Sequence, residues 1–208
     1  LAAHLGAHET MEVHEILTST IDGINLFQLY RPHVKDQQLL QILDRQLQFM
    51  INEYNQTVQM LNNQGNGQAV PYRTVKNIAP IYGLNNPAAQ TPNISMNQMD
   101  DRDVASGMLG CHKASASMKM IAALECADPQ LRRTMQQGAV NCAEQAYEVW
   151  QYMNQNGHYQ VPTMKEMTTN TVLNSYQPTT MNNMNMPQMQ QQTMAPMNTM
   201  NTMNTMRQ

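Results

Sequence analysis

The chain has 208 residues, a net charge of −3 and only 13% charged residues, about half the usual share for a soluble domain. That length allows a single core of ordinary size plus an appendage, and the sparse charge leaves no basic footprint for nucleic acid or an anionic membrane surface. No segment approaches the roughly 18 consecutive apolar residues of a spanning helix, and no basic-then-apolar leader directs export, so neither membrane insertion nor secretion is expected.

The first predicted helix runs from about Ala7 to Tyr30, with Val13, Leu17, Thr20, Ile24 and Phe27 on one stripe and Pro32 stopping it. Its start is rich in potential metal ligands: His4, His8 and Glu12 are spaced by four, and Glu9, Glu12 and Glu15 by three, with His14 adjacent. Carboxylates are what a helix dipole favours in a first turn, so the cluster is read as a solvated helix start, with an adventitious or structural divalent metal as the alternative. A second helix opens after Asp36 and carries Leu40, Leu43, Leu47, Met50, Tyr54, Val58 and Leu61 to a left-handed cap at Gly65.

Residues 66–100 contain Pro71, Pro80, Pro87 and Pro92, so no long helix fits there and the segment is a long crossover. A third helix opens after Asp100, Asp101 and Asp103 and carries Val104, Met108, Cys111, Ser115, Met118 and Ala122. Its small residues Ala105, Gly107, Gly110, Ala114 and Ala116 suggest close approach to a neighbour. The fourth has the clearest start, with Asp128 as N-cap and Pro129 at the first helical position, and it presents Leu131, Met135, Ala139, Cys142, Ala146, Val149 and Met153.

Residues 35–65 align without a gap on 127–157, matching Asp36 to Asp128, Gln38 to Gln130, Leu39 to Leu131, Gln59 to Gln151, Asn62 to Asn154 and Gly65 to Gly157. An Asp opens each segment and a Gly closes it, which predicts one helical hairpin used twice, at about 7–65 and 101–157. Short loop, long crossover, short loop is the connectivity of a ferritin-like four-helix bundle, here assigned to residues 1–162. From 163 to 208 the chain becomes a Met/Asn/Gln/Thr-rich low-complexity segment holding eleven of the 21 methionines. It is read as a disordered tail, either adhesive or passive.

A ferritin-like bundle raises the possibility of a di-iron or di-manganese carboxylate site, which needs a Glu from two helices and a Glu-x-x-His pair from each of the others. Both pairs are missing: Glu53 is followed at that spacing by Gln56, Glu144 by Tyr147 and Glu148 by Gln151, while His112 lies mid-helix and Glu125 at a helix end. No catalytic, cofactor-binding or metal-ligating residue is therefore assigned, and an enzyme is not expected. Cys111 and Cys142 are brought to similar height by the second hairpin. They are read as small buried core residues, with a disulfide or an oxidation-sensitive pair as the alternative. Trp150, Tyr147, Tyr152 and Tyr159 are expected to cap the core or form a contact patch.

The opening Ala7-His8-Glu9-Thr10-Met11-Glu12-Val13-His14-Glu15, the stretch Leu39 to Tyr54, the Pro-broken crossover with Val70-Pro71-Tyr72 and the Met-Asn-Gln tail resemble the spore coat protein F family of endospore-forming bacteria. The resemblance covers roughly residues 5–162. It implies a small ferritin-like bundle with no assigned catalytic site, a structural role in the spore coat laid down inside the mother cell, and other coat proteins or further copies of the chain as partners. A low-charge, amide-rich surface fits close packing of many copies, and Tyr side chains and the Gln-rich tail are candidate cross-linking sites. The rival readings are a ferritin-like di-metal protein and a soluble regulator of sporulation or germination.

Overall fold

The computed structural model describes residues 5–62, 69–74 and 78–179. Among these the protein is all-helical: α1 (Ala7–Tyr30), α2 (Gln37–Leu61), α3 (Asp101–Glu125), α4 (Pro129–Gln155) and the short α5 (Glu166–Leu173), with single 3-10 turns at Arg31–His33 and Met96–Gln98. No strand forms among the described residues, and Val161 makes only an isolated bridge to Tyr82 and Gly83. None of the helices is long and apolar enough to cross a membrane.

The two inter-helix turns of the hairpins are built alike. Asp36 Oδ1 accepts from the N–H groups of Gln38 and Leu39, at 2.7 and 3.3 Å, and Asp128 Oδ1 from those of Gln130 and Leu131, at 2.9 and 2.7 Å. Each cap satisfies N–H groups that a helix start leaves orphaned, and the leucine beside each, Leu39 or Leu131, is fully buried. At the far end of α4, Gly157 at φ +71° closes a Schellman cap, with His158 N–H donating to Met153 O at 2.8 Å. Gly65, its counterpart in the sequence alignment, lies outside the described residues.

Each turn is also held by an acid from the first turn of the other hairpin's leading helix. Asp101 Oδ1 on α3 accepts from the N–H groups of Lys35 and Asp36, at 2.7 and 3.1 Å. Glu9 on α1 accepts from Asp128 N–H at 2.6 Å and, through its other oxygen, from Gly6 N–H at 2.7 Å. Glu9 is buried, which corrects the reading of the whole N-terminal cluster as solvated: its carboxylate is consumed by two helix starts. His8 is exposed and 3.4 Å from Glu125, and His4 lies outside the described residues.

α3 packs along α4, α1 contacts α2 and α3, and α2 contacts α4. One apolar cluster holds Phe27, Leu39, Leu43, Leu47, Val104, Met108, Val149 and Met153; the other holds Val13, Ile16, Met60, Ala122, Leu131 and Met135. Between them, along α2, α3 and α4, sits a polar waist. The α4 stripe agrees with the sequence reading throughout. On α2 the buried set is Leu39, Ile42, Leu43, Gln46, Leu47, Met50, Thr57 and Met60, rotated from the predicted seam because Gln46 and Thr57 face inward. On α3 the half-buried Ser115 and Met118 give way to His112 and Lys119. Gly107 does permit close approach, since a Cβ there would collide with the Tyr30 ring, whereas Gly110 faces open space.

The chain divides into two units at Thr163/Met164. In the second, the disordered reading does not account for α5, whose first turn carries Glu166 and whose Thr171 hydroxyl donates back to Met167 O at 2.8 Å. A stretch free of Pro and Gly between Pro162 and Pro178 is long enough for such a helix. Residues 180–208 lie outside the described residues.

The hydrogen bonds from Asp128 and Gly6 hold the Glu9 carboxyl below its ordinary value against the opposing effect of burial. A depressed carboxyl stabilises the fold above its unfolded value and loses that contribution as pH falls through the folded one. Glu9→Gln is expected to lower the urea midpoint at neutral pH and to bring the mutant and wild-type curves together under acid conditions.

Candidate functional site

The polar waist is built from side chains that three helices and the crossover point inward. On α2, Gln46 is fully buried, and its Nε2 donates to Gln145 O at 3.1 Å and Glu148 Oε2 at 2.9 Å. Gln46 Oε1 lies 2.9 Å from His112 Nε2, so with the amide nitrogen already committed, that imidazole nitrogen carries the proton and donates. Burial, with the Lys119 charge adding to it, pushes the His112 imidazole down to about 3; it is neutral and packs edge-on against Phe27.

Glu148 on α4 is matched by three donors: Arg45 Nη2 at 2.7 Å, Gln46 Nε2, and the Tyr72 hydroxyl at 2.5 Å. Burial pushes the Tyr72 phenol up to about 12, with Glu148 adding to it, so the hydroxyl stays a donor. Glu53 on α2 accepts from Lys119 Nζ at 2.5 Å through one oxygen and from Asn141 Nδ2 at 2.7 Å through the other. Lys119 reaches it by lying across Gly138, where a Cβ would stand 3.0 Å from its Cδ. Buried charges of this kind are held by partners rather than solvent, and removing one partner costs about 3–5 kcal/mol.

These pairings bear on the di-metal alternative. Both carboxylates of the waist are neutralised by a side-chain cation, Glu53 by Lys119 and Glu148 by Arg45, and both oxygens of each are engaged by protein donors. Two cations already present where metal charge would be needed make the donor set a poor fit to a di-metal centre. Of the other sequence candidates, Glu144 is only half-buried and Glu125 faces solvent beside His8.

Cys111 is half-buried, Cys126 and Cys142 are buried, and all three are free thiols. Burial pushes Cys126 and Cys142 up to about 11 and raises Cys111, so the thiols are protonated and unreactive at neutral pH. Tyr147 stacks on Trp150, which meets Tyr159 edge-on, and Lys113 Nζ stands 5.3 Å from the Tyr159 ring centre. Tyr152 is instead buried and donates to Asp36 Oδ2 at 3.1 Å.

The amides of α4 also hold the crossover. Asn141 donates to Val70 O at 3.0 Å and accepts from Tyr72 N–H at 2.9 Å. Gln151 donates to Ile78 O and Gln155 to Ala79 O, at 3.3 and 3.1 Å. Asn154 takes both backbone groups of Ile81, at 2.8 and 3.0 Å, and beyond the helix Gln160 takes both of Asn85, at 2.6 and 3.2 Å. A primary amide offers one acceptor and two donors, the same groups a neighbouring β-strand would present, so an irregular chain is satisfied without a sheet.

A family model described as the Coat F domain matches residues 100–162, which span α3, α4 and the turn after them. Spore coat protein F-like protein YhcQ of Bacillus subtilis (strain 168) is 34% identical over 175 residues, covering 83% of this chain and 81% of that protein. The chain belongs to the spore coat protein F family. No solved structure matches it.

The Coat F match contains His112, Lys119, Asn141 and Glu148, but their partners Arg45, Gln46, Glu53 and Tyr72 come from outside it. Sequence reasoning considered Glu53, Glu148 and His112 as metal ligands and missed Arg45, Gln46, Tyr72, Lys119 and Asn141. The available signal was Lys119 seven residues after His112, two helical turns along the same face.

Two measurements test this site. Asn154→Ala removes both bonds to Ile81, so the Ile81 amide should exchange faster while amides in the middle of α4 keep their protection, with a stability loss of about 1–3 kcal/mol. For His112, the unfolded state takes a proton below its ordinary value of 6.5 while the folded state stays neutral to about 3, so its contribution drains stability as pH falls through that window. His112→Gln keeps a donor to Gln46 and is expected to flatten the pH dependence of the urea midpoint there.

Proposed function

We propose that this chain is a structural component of the bacterial spore coat, acting through protein–protein packing with other coat proteins or further copies of itself. In this reading residues 1–162 are a ferritin-like four-helix bundle of two hairpins joined by the 66–100 crossover, and residues 163–208 are an appended segment that serves assembly. The protein is made in the mother cell and deposited on the forming spore without catalytic turnover.

The observation that carries the reading is the relative YhcQ, itself named a spore coat protein F-like protein, which aligns across most of both chains. The interior supports a structural role: its carboxylates are engaged by Lys119 and Arg45 of the same chain rather than left open to an external ligand or substrate. Outside, Leu124 on α3 is 72% exposed and Ile94 on the crossover 92% exposed, apolar surface that packing against a partner would cover.

An N-terminal fluorescent fusion followed through sporulation, with and without residues 164–208, tests the proposal. A ring around the developing spore is the expected result, and its loss on truncation assigns targeting to the tail. Diffuse fluorescence throughout sporulation would overturn the coat assignment and leave a soluble regulator as the better reading.

A further inference from the structure

Glu53, Lys119 and Asn141 form a triad, with Lys119 and Asn141 buried and Glu53 partly so, in which one carboxylate bridges two nitrogens, a lysine Nζ at 2.5 Å and an asparagine Nδ2 at 2.7 Å. The orientation of the Asn141 amide is fixed by backbone groups that play one role each: Tyr72 N–H can only donate, so it faces Oδ1, and Val70 O can only accept, so it faces Nδ2. Gln137 Nε2 gives Oδ1 a second donor at 3.0 Å. The Asn141 carbonyl oxygen is thus held by two N–H donors, while its amide nitrogen and a lysine share a carboxylate, in a site with little solvent access.

Two donors on a carbonyl oxygen are an oxyanion hole, and a carboxylate touching both the incoming and the leaving nitrogen is a proton relay. We propose that the chain forms an internal isopeptide bond between Lys119 Nζ and Asn141 Cγ, with Glu53 as the catalytic proton carrier. The reaction is a transamidation that needs no oxidant, metal or second substrate.

Glu53 takes one proton from the Lys119 ammonium, and the free amine attacks Cγ. The oxyanion that forms is held by Tyr72 N–H and Gln137 Nε2. Glu53 then gives its proton to Nδ2 and receives one from Nζ; the Cγ–Nδ2 bond breaks as the carbonyl returns. Ammonia leaves, taking the last proton from Glu53 as ammonium, and the carboxylate is restored. One C–N bond replaces another, and the chain turns over once, on itself.

The step that limits the rate is the first. Burial pulls the Lys119 ammonium down, but Cys142 and Glu53 push it up, and the balance lies above the ordinary lysine value. Within the pair, however, the proton has only to cross one short hydrogen bond, so a transient neutral amine is enough for the attack. Preorganisation supplies the remainder: the reacting groups sit on adjacent packed helices, α3 and α4. The product staples those helices at the polar waist and, like a disulfide, restricts the unfolded chain.

Intact-mass measurement of the purified full chain, followed by tryptic peptide mapping, tests the proposal. The expected result is a mass short by one ammonia and a branched species joining the peptide with Lys119 to the peptide with Asn141. Glu53→Gln, verified as helical by circular dichroism, is expected to recover the full mass and the two separate peptides. Because that variant strands Lys119 and can fail to fold, the wild-type map decides by itself. Full mass with both residues on unlinked peptides overturns the proposal. So does loss of ammonia without a branched peptide, which is cyclic imide formation at Asn141, and so does a water-loss linkage through Glu53.

Discussion

An irregular crossover must find partners for its backbone, and the protein solves this with amide side chains. A chain segment broken by Pro71, Pro80, Pro87 and Pro92 cannot satisfy its own N–H and C=O groups as a helix, and among the described residues no strand lies beside it to do so. Asn141, Gln151, Gln155, Asn154 and Gln160 do it instead, in the order in which the crossover passes them. The abundance of Asn and Gln, which in the sequence looks like a property of the surface, is therefore partly structural. Asn141 and Asn154 are as buried as the leucines around them.

The crossover in turn completes the polar waist. Tyr72 brings a hydroxyl to Glu148 and a backbone N–H to Asn141, so the strap, α2 and α4 meet in one network. The two apolar clusters on either side limit its solvent access, which strengthens each pairing and makes any unpaired member costly. Such a waist specifies which helix faces which more sharply than an all-leucine core could, since a rotated helix would bury an unmatched charge.

Much of the fold could be read in the sequence because helix ends are written in residue types with one mechanical meaning. Asp36 and Asp128 cap, Pro129 starts a helix, Gly157 ends one, and the apolar stripe of α4 is uninterrupted. The waist was harder to see. Lys119 and Glu9 are charged, and a charge in a helical pattern reads as solvent-facing until a partner far along the chain is known; their partners lie 66 and 119 positions away. On α2, apolar residues at Leu39, Leu40, Ile42 and Leu43 allow more than one stripe, and only the inward pull of Gln46 decides between them.

The exchange of acids between the hairpins has a consequence for the chain as a folding unit. Asp101 holds the turn of the first hairpin and Glu9 holds the turn of the second, so each half carries the fastener of the other. A segment equivalent to the Coat F match, cut out on its own, would lose the acceptor for Asp128 N–H and the counter-ion for Lys119 together. The repeated hairpin is thus a duplicated shape but not a duplicated module: the halves are interdependent, and the protein is made to assemble all at once or not at all.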